Sequence, residues 1–129
     1  MPSLIRVLLI DDNPEFLRSA HDFLALLPSL QVVGCALSGT DALRQISCLL
    51  PQLVLVDWAM PGLSGLETTR LIKAVPNAPL VVILTLYSSS PYRTAAQLAG
   101  ADGILDKVDW YAQLPPLLQQ LFPDGLLSP

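Results

Sequence analysis

Five polar residues stand just past apolar runs. Asp11 and Asp12 follow Val7-Leu8-Leu9-Ile10, Asp57 follows Leu53-Val54-Leu55-Val56, Thr85 follows Leu80 to Leu84, and Lys107 lies two residues past Gly103-Ile104-Leu105. If those ends are brought together, three carboxylates repel one another and raise one another's pKa unless a divalent cation lies among them. Oxygen-only donors with open positions suit magnesium, which keeps several waters and accepts a phosphoryl oxygen. An ammonium and a hydroxyl beside such a cation can cover the other phosphoryl oxygens, and one carboxylate is then the nucleophile. Asp57 is the candidate nucleophile because it ends a central strand, whereas the adjacent Asp11 and Asp12 can share the metal. Each residue alone has a plainer use: an Asp after a strand forms a turn or caps a helix, a Thr fits a strand, and a Lys lies in solvent. The coincidence of a complementary set at four strand ends carries the functional reading.

Such a set needs elements that converge. The apolar runs named above, with a further one from Leu30 to Ala36, lack apolar-polar alternation, which marks strands buried on both faces. Each is separated from the next by enough residues for a crossover helix, giving a five-fold βα repeat. Asn13-Pro14 and Ser90-Pro91 are a cap followed by proline, Ser64-Gly65-Leu66-Glu67 has capping-box spacing, and Gly100 reads as a helix stop. Helices are therefore expected to begin near residues 14, 40, 65 and 91, with a fifth past 110. Phe16, Leu17, Ala20, Phe23, Leu24 and Leu27 form one apolar face of the first, and His21 beside them reads as a surface residue. Pro115-Pro116 would remove donors from a helix interior. The expectation is a loose turn over Asp109 to Gln113 and a short helix from about Leu114 to Phe122. A doubly wound parallel sheet of order 2-1-3-4-5 would bring Asp11, Asp12, Asp57, Thr85 and Lys107 to one rim, where such sheets hold their sites.

Composition sets the remaining bounds. With 129 residues, 52% hydrophobic and 14% charged, the chain fits one domain. Its mean hydropathy of +0.52 is high, yet charges or prolines break every apolar stretch short of the ~18 residues of a membrane span. The segment Met1 to Arg6 lacks the zones of a secretory signal. Cys35 and Cys48 have no Cys or His at metal spacing and are too few for a disulfide framework, which points to a reducing cytoplasm and to buried small hydrophobes. A net charge of −4 with singly scattered basic residues argues against nucleic-acid binding by this domain.

On these residues the chain resembles the receiver domain of bacterial two-component response regulators, over nearly all of residues 4 to 122. Asp11-Asp12 resembles the family's acidic metal-binding pair, and Asp57-Trp58-Ala59-Met60-Pro61-Gly62 its phosphoacceptor and following loop. Thr85 matches the hydroxyl switch residue, Gly100-Ala101-Asp102-Gly103 the turn before the last strand, and Lys107 the phosphate-binding lysine. Residues 60–68 are most similar to the branch that usually carries a C-terminal helix-turn-helix, and residues 1–129 include none. The resemblance implies a flavodoxin-like (βα)5 fold over residues 3–122, with 123–129 a tail or the start of a linker. It implies Mg²⁺ held by Asp12, Asp57 and the Ala59 carbonyl, with Asp11 assisting through a bound water. It further implies a histidine kinase or histidine phosphotransfer protein as phosphodonor, and a change in the helix 4, strand 5 and helix 5 surface on phosphorylation.

Three residues depart from the family pattern. Leu86 replaces a small residue after the switch Thr, Ile104 replaces an aromatic three positions before the lysine, and Val108 replaces a proline that follows the lysine in cis. These favour a competing expectation, an atypical receiver that acts by protein contacts without phosphorylation; the intact acidic set opposes it. A third reading, a small magnesium-dependent phosphatase, wants a second acid beside Asp57, and Trp58 and Ala59 supply none. Leu117, Leu118, Leu121, Phe122, Leu126 and Leu127 exceed what one face of a short helix can bury, so a homodimer or partner contact through the last helix is expected.

Overall fold

The computed structural model describes residues 4–87 and 89–124. Five strands alternate with five helices: β1 (Ile5–Ile10), α1 (Pro14–Ala25), β2 (Leu30–Ala36), α2 (Gly39–Leu49), β3 (Leu53–Asp57), α3 (Gly65–Lys73), β4 (Leu80–Thr85), α4 (Ser90–Leu98), β5 (Gly103–Asp106) and α5 (Trp110–Leu121). All pair in parallel, in the order β2-β1-β3-β4-β5. This is the expected flavodoxin-like arrangement. The reading of Met1 to Ser3 and the outer part of the proposed tail, including Leu126 and Leu127, lie outside the described residues.

Strand alternation divides the core. Val7, Leu9, Leu53, Leu55, Val82, Leu84 and Leu105 face α1 and α5, whereas Leu8, Ile10, Val54, Val56, Val81 and Ile83 face α2, α3 and α4. Both faces are covered, so the central strands have no polar side and read as continuous apolar runs. The polar residue just past each of these runs stands at the carboxyl end of the sheet, where Asp11, Asp57 and Thr85 are still buried. The β3–β4 register pairs Asp57 with Leu84, and the β4–β5 register pairs Thr85 with Asp106. Asp57, Thr85 and Lys107 therefore stand at the ends of neighbouring strands, each one register position beyond the last.

Two expectations are corrected. The last helix starts at Trp110 and contains Pro115 and Pro116 in its interior. Trp110 is completely buried against Phe16 and Phe23, with ring centroids 5.9 and 5.3 Å away. That contact fixes the first turn, and the carbonyls deprived of donors belong to Tyr111 and Ala112, both exposed residues whose carbonyls water can serve. Further along this helix Leu118 is buried, and Leu117, Leu121 and Phe122 are half-buried against the α1–α5 core. Second, Cys35 and Cys48 are exposed. Cys35 lies on the edge strand β2 and Cys48 on the outer side of α2, positions where an apolar run or helical stripe overstates burial. His21 is exposed, as expected.

Candidate functional site

The expected residues meet in one cleft. Asp11, Asp12, Asp57, Ala59, Thr85 and Lys107 line a cavity of about 470 Å³, together with Asn13, Trp58, Leu86, Tyr87 and Tyr92. Its floor is set by backbone. The Asp11 amide donates to Ala36 O at 3.0 Å and so extends the β1–β2 ladder one residue past the strand. Asn13 then caps α1, its side chain accepting from the Glu15 and Phe16 amides. On the other side, the loop after Asp57 folds back so tightly that a Cβ on Gly65 would stand 2.2 Å from Asp57 O. Only glycine permits that approach, and Ser64 with Glu67 closes the capping box that starts α3 beside it.

Asp11 and Asp57 are buried, 1% and 6% exposed, and Asp12 is open to solvent. One carboxylate oxygen from each of the three lies within 4.8 Å of the others. Lys107 is the cation among them: its ammonium donates to Asp11 Oδ2 at 2.7 Å and stands 3.3 Å from Asp57 Oδ1. The other Asp11 oxygen accepts the Asn13 amide at 2.9 Å. Asp11 is thus occupied at both oxygens, while Asp12 stays open. Phe16 was not anticipated here; its ring centroid is 4.4 Å from the Lys107 nitrogen, a cation–π contact that holds the lysine over the cleft.

Three carboxylates against one ammonium leave the cleft short of positive charge. Burial pushes the Asp57 carboxyl above the usual carboxylate range, the charge of Asp11 pushes it further, Lys107 partly offsets this, and Asp12 adds a smaller push upward. For Lys107, burial alone would lower the pKa, but its hydrogen bond to Asp11 and the charges of Asp11 and Asp57 outweigh burial and raise it. The donor set is entirely oxygen, and one added divalent cation would relieve the repulsion that burial amplifies. Among the described residues, this is the cluster whose donors fit a hard cation such as Mg²⁺.

Thr85 is buried and borders the cleft, but its hydroxyl is spent on the next loop: it donates to Tyr87 O at 3.1 Å and accepts the Tyr87 amide at 3.0 Å. Leu86 is 62% exposed at the mouth. Ile104 packs half-buried with the α2–α4 core, and Val108 is exposed; no cis peptide bond occurs among the described residues. Trp58, Tyr87 and Tyr92 wall the cleft, a placement the sequence did not foretell. The 3.6-residue and two-residue periods that identify elements say nothing of where a loop carries an aromatic ring.

The chain matches the family model described as response regulator receiver domain over residues 7–114. It is 36% identical over 120 residues to the response regulator GacA of Pseudomonas aeruginosa, covering 92% of this chain and 56% of that protein. It is 34% identical over 104 residues to the response regulator UvrY of Escherichia coli K12, covering 81% of this chain and 48% of that protein. The chain therefore spans about half the length of these curated relatives. Among solved structures, the signal receiver domain of NarL from Mycobacterium tuberculosis superposes with a TM-score of 0.83 at 26% identity, covering 98% of this chain and all of that one. A LuxR-family two-component response regulator from Aurantimonas sp. gives 0.85 at 28% identity, covering 92% of this chain and 85% of that one.

Proposed function

Because the chain belongs to the response regulator receiver-domain family, we propose that it is the phosphoacceptor of a two-component phosphorelay, with Asp57 as the residue modified. An Asp57 oxygen attacks the phosphorus of a partner's phosphohistidine, the nitrogen–phosphorus bond breaks, and the imidazole leaves with its electron pair. Lys107 is placed to meet a phosphoryl oxygen, being 3.3 Å from Asp57 already and held there by Asp11 and Phe16. Asp12, Asp57 and the Ala59 carbonyl are the groups that would hold Mg²⁺, with Asp11, whose oxygens are engaged by Lys107 and Asn13, acting indirectly. When bound, Mg²⁺ supplies the charge that lets an anionic phosphoryl group approach three carboxylates. The observation that carries the reading is the buried Asp57 beside Lys107 in a cleft with one cation too few.

The donor is a sensor histidine kinase or a histidine phosphotransfer protein, and the setting is the cytoplasm. No described helix is long and apolar enough to cross a membrane. Output passes through the α4, β5 and α5 surface, where Leu98 and Val108 are exposed and offer a contact for a second copy or another protein. Since GacA and UvrY are whole response regulators, transcriptional control is the expected output of a longer protein carrying this domain. Ile104 favours a second reading, an interaction module that needs no phosphorylation. One experiment separates them. With Mg²⁺ and acetyl phosphate, intact mass should show a single phosphoryl adduct on wild type and none on Asp57→Asn. Wild type that takes no adduct and does not respond to beryllofluoride would overturn the phosphoacceptor reading.

A further inference from the structure

Three aromatic rings join the phosphoacceptor cleft to the start of α4. Trp58 directly follows Asp57, Tyr87 lies two residues past Thr85, and Tyr92 sits in the first turn of α4. Trp58 meets Tyr92 edge-on with centroids 5.3 Å apart, and Tyr92 stacks on Tyr87 at 5.6 Å and 24°. All three line the cavity that holds Asp57. On β5 the side chain three residues before Lys107 is Ile104, packed into the core, so no ring there links the cleft to the outer surface.

The Thr85 hydroxyl completes the chain of contacts. It has one proton, now given to Tyr87 O, and its oxygen takes the Tyr87 amide. A hydroxyl that gives its proton to an oxygen on Asp57 must release the Tyr87 carbonyl. The element beyond is loosely held: α4 has one buried residue, Ala96, and its N-cap Ser89 makes no side-chain capping bond. Few buried contacts resist a shift of this helix.

We propose that Tyr87, Tyr92 and Trp58 form the relay that couples occupancy of the Asp57 cleft to α4, with the Thr85 proton as its trigger. The relay rests on the phosphoacceptor reading and assigns its output path. With Asp57 unoccupied, Thr85 holds the Tyr87 backbone by both bonds while the Tyr87 ring lies on Tyr92; when the proton is withdrawn, the Tyr87 carbonyl is released, the stack opens, and α4 is free to move relative to Trp58.

The test uses beryllofluoride with Mg²⁺ and two separate readouts: the bound-fluoride resonance, which reports occupancy, and hydrogen exchange of α4 amides, which reports the response. Wild type should show both, with α4 exchange changing at least threefold. With beryllofluoride raised until the bound-fluoride resonance shows equal occupancy in each protein, Tyr92→Leu should lose most of the α4 change, and Tyr92→Phe, which retains the ring, should restore it. Tyr87→Leu should behave like Tyr92→Leu, and because Tyr87 is 64% exposed this variant probes the relay even if Tyr92→Leu fails to fold. A wild-type α4 response in both leucine variants, with fluoride bound, overturns the relay alone. Absence of bound fluoride on wild type overturns the phosphoacceptor reading and the relay with it.

Discussion

Two lysine–aspartate clusters sit at opposite ends of the sheet, and they are built for different ends. At the amino end of β4 and β5, Lys73 pairs with Asp102 at 2.9 Å and also donates to Pro79 O at 3.0 Å. The same Asp102 oxygen accepts the Val81 amide at 2.8 Å. One charge meets one charge, and each partner also ties down backbone, so the cluster staples α3 to two strands. At the carboxyl end, Lys107 meets Asp11 and Asp57 with Asp12 nearby, and the charges do not balance. A balanced pair that also satisfies backbone is a structural device; an unbalanced one in a cleft favours binding of a further cation.

The largest effect should fall on the balanced cluster. Asp102→Ala leaves the Lys73 ammonium and the Val81 amide without their partner and should cost about 2–3 kcal/mol of stability in denaturant unfolding, with Mg²⁺ affinity unchanged. Lys107→Gln should split the two properties differently. Metal-free stability falls by about 1–2 kcal/mol as Asp11 loses a charged donor, while Mg²⁺ binding, measured by Trp58 fluorescence, tightens several-fold because the competing cation is gone. A parallel loss of both would mean that the rim is merely another staple.

Asp57→Asn should stabilise the metal-free protein by about 1 kcal/mol, the ordinary scale of one substitution, because it removes a buried carboxylate from a like-charged group. The smallest effect is on pH dependence. Asp57 holds its proton more tightly folded than unfolded, so its contribution favours folding at low pH and is lost as pH rises through its raised folded pKa. Metal-free wild type should therefore lose, over that window, stability that Asp57→Asn keeps. Mg²⁺ affinity should also fall on acidification at a higher pH than an ordinary carboxylate would give.

The rim was legible in the sequence because each functional residue stands one or two positions past an apolar run, and a sheet buried on both faces makes such runs unambiguous. Asp11, Asp12, Asp57, Thr85 and Lys107 converge as their positions required. The staple was not legible: Lys73 ends a helix and Asp102 lies in a turn 29 residues later, and no period links them. The course of α5 was misjudged for a related reason. Pro115 and Pro116 signal a break locally, but the burial of Trp110 between Phe16 and Phe23 depends on residues nearly a hundred positions away. Likewise, the hydroxyl of Thr85 was expected at the cleft, and its present bonds to Tyr87 are a property of the loop.

The difference between the clusters is tested most directly by the effect of Mg²⁺ on unfolding. A ligand that binds only the folded state at ten times its Kd stabilises by about 1.4 kcal/mol. Wild type and Lys73→Met should both gain this amount at matched Mg²⁺, although Lys73→Met starts from lower stability, and Asp12→Ala should gain little or nothing. Equal gains in wild type and Asp12→Ala, or no gain in wild type, would contradict the assignment of the rim as a cation and phosphoryl site.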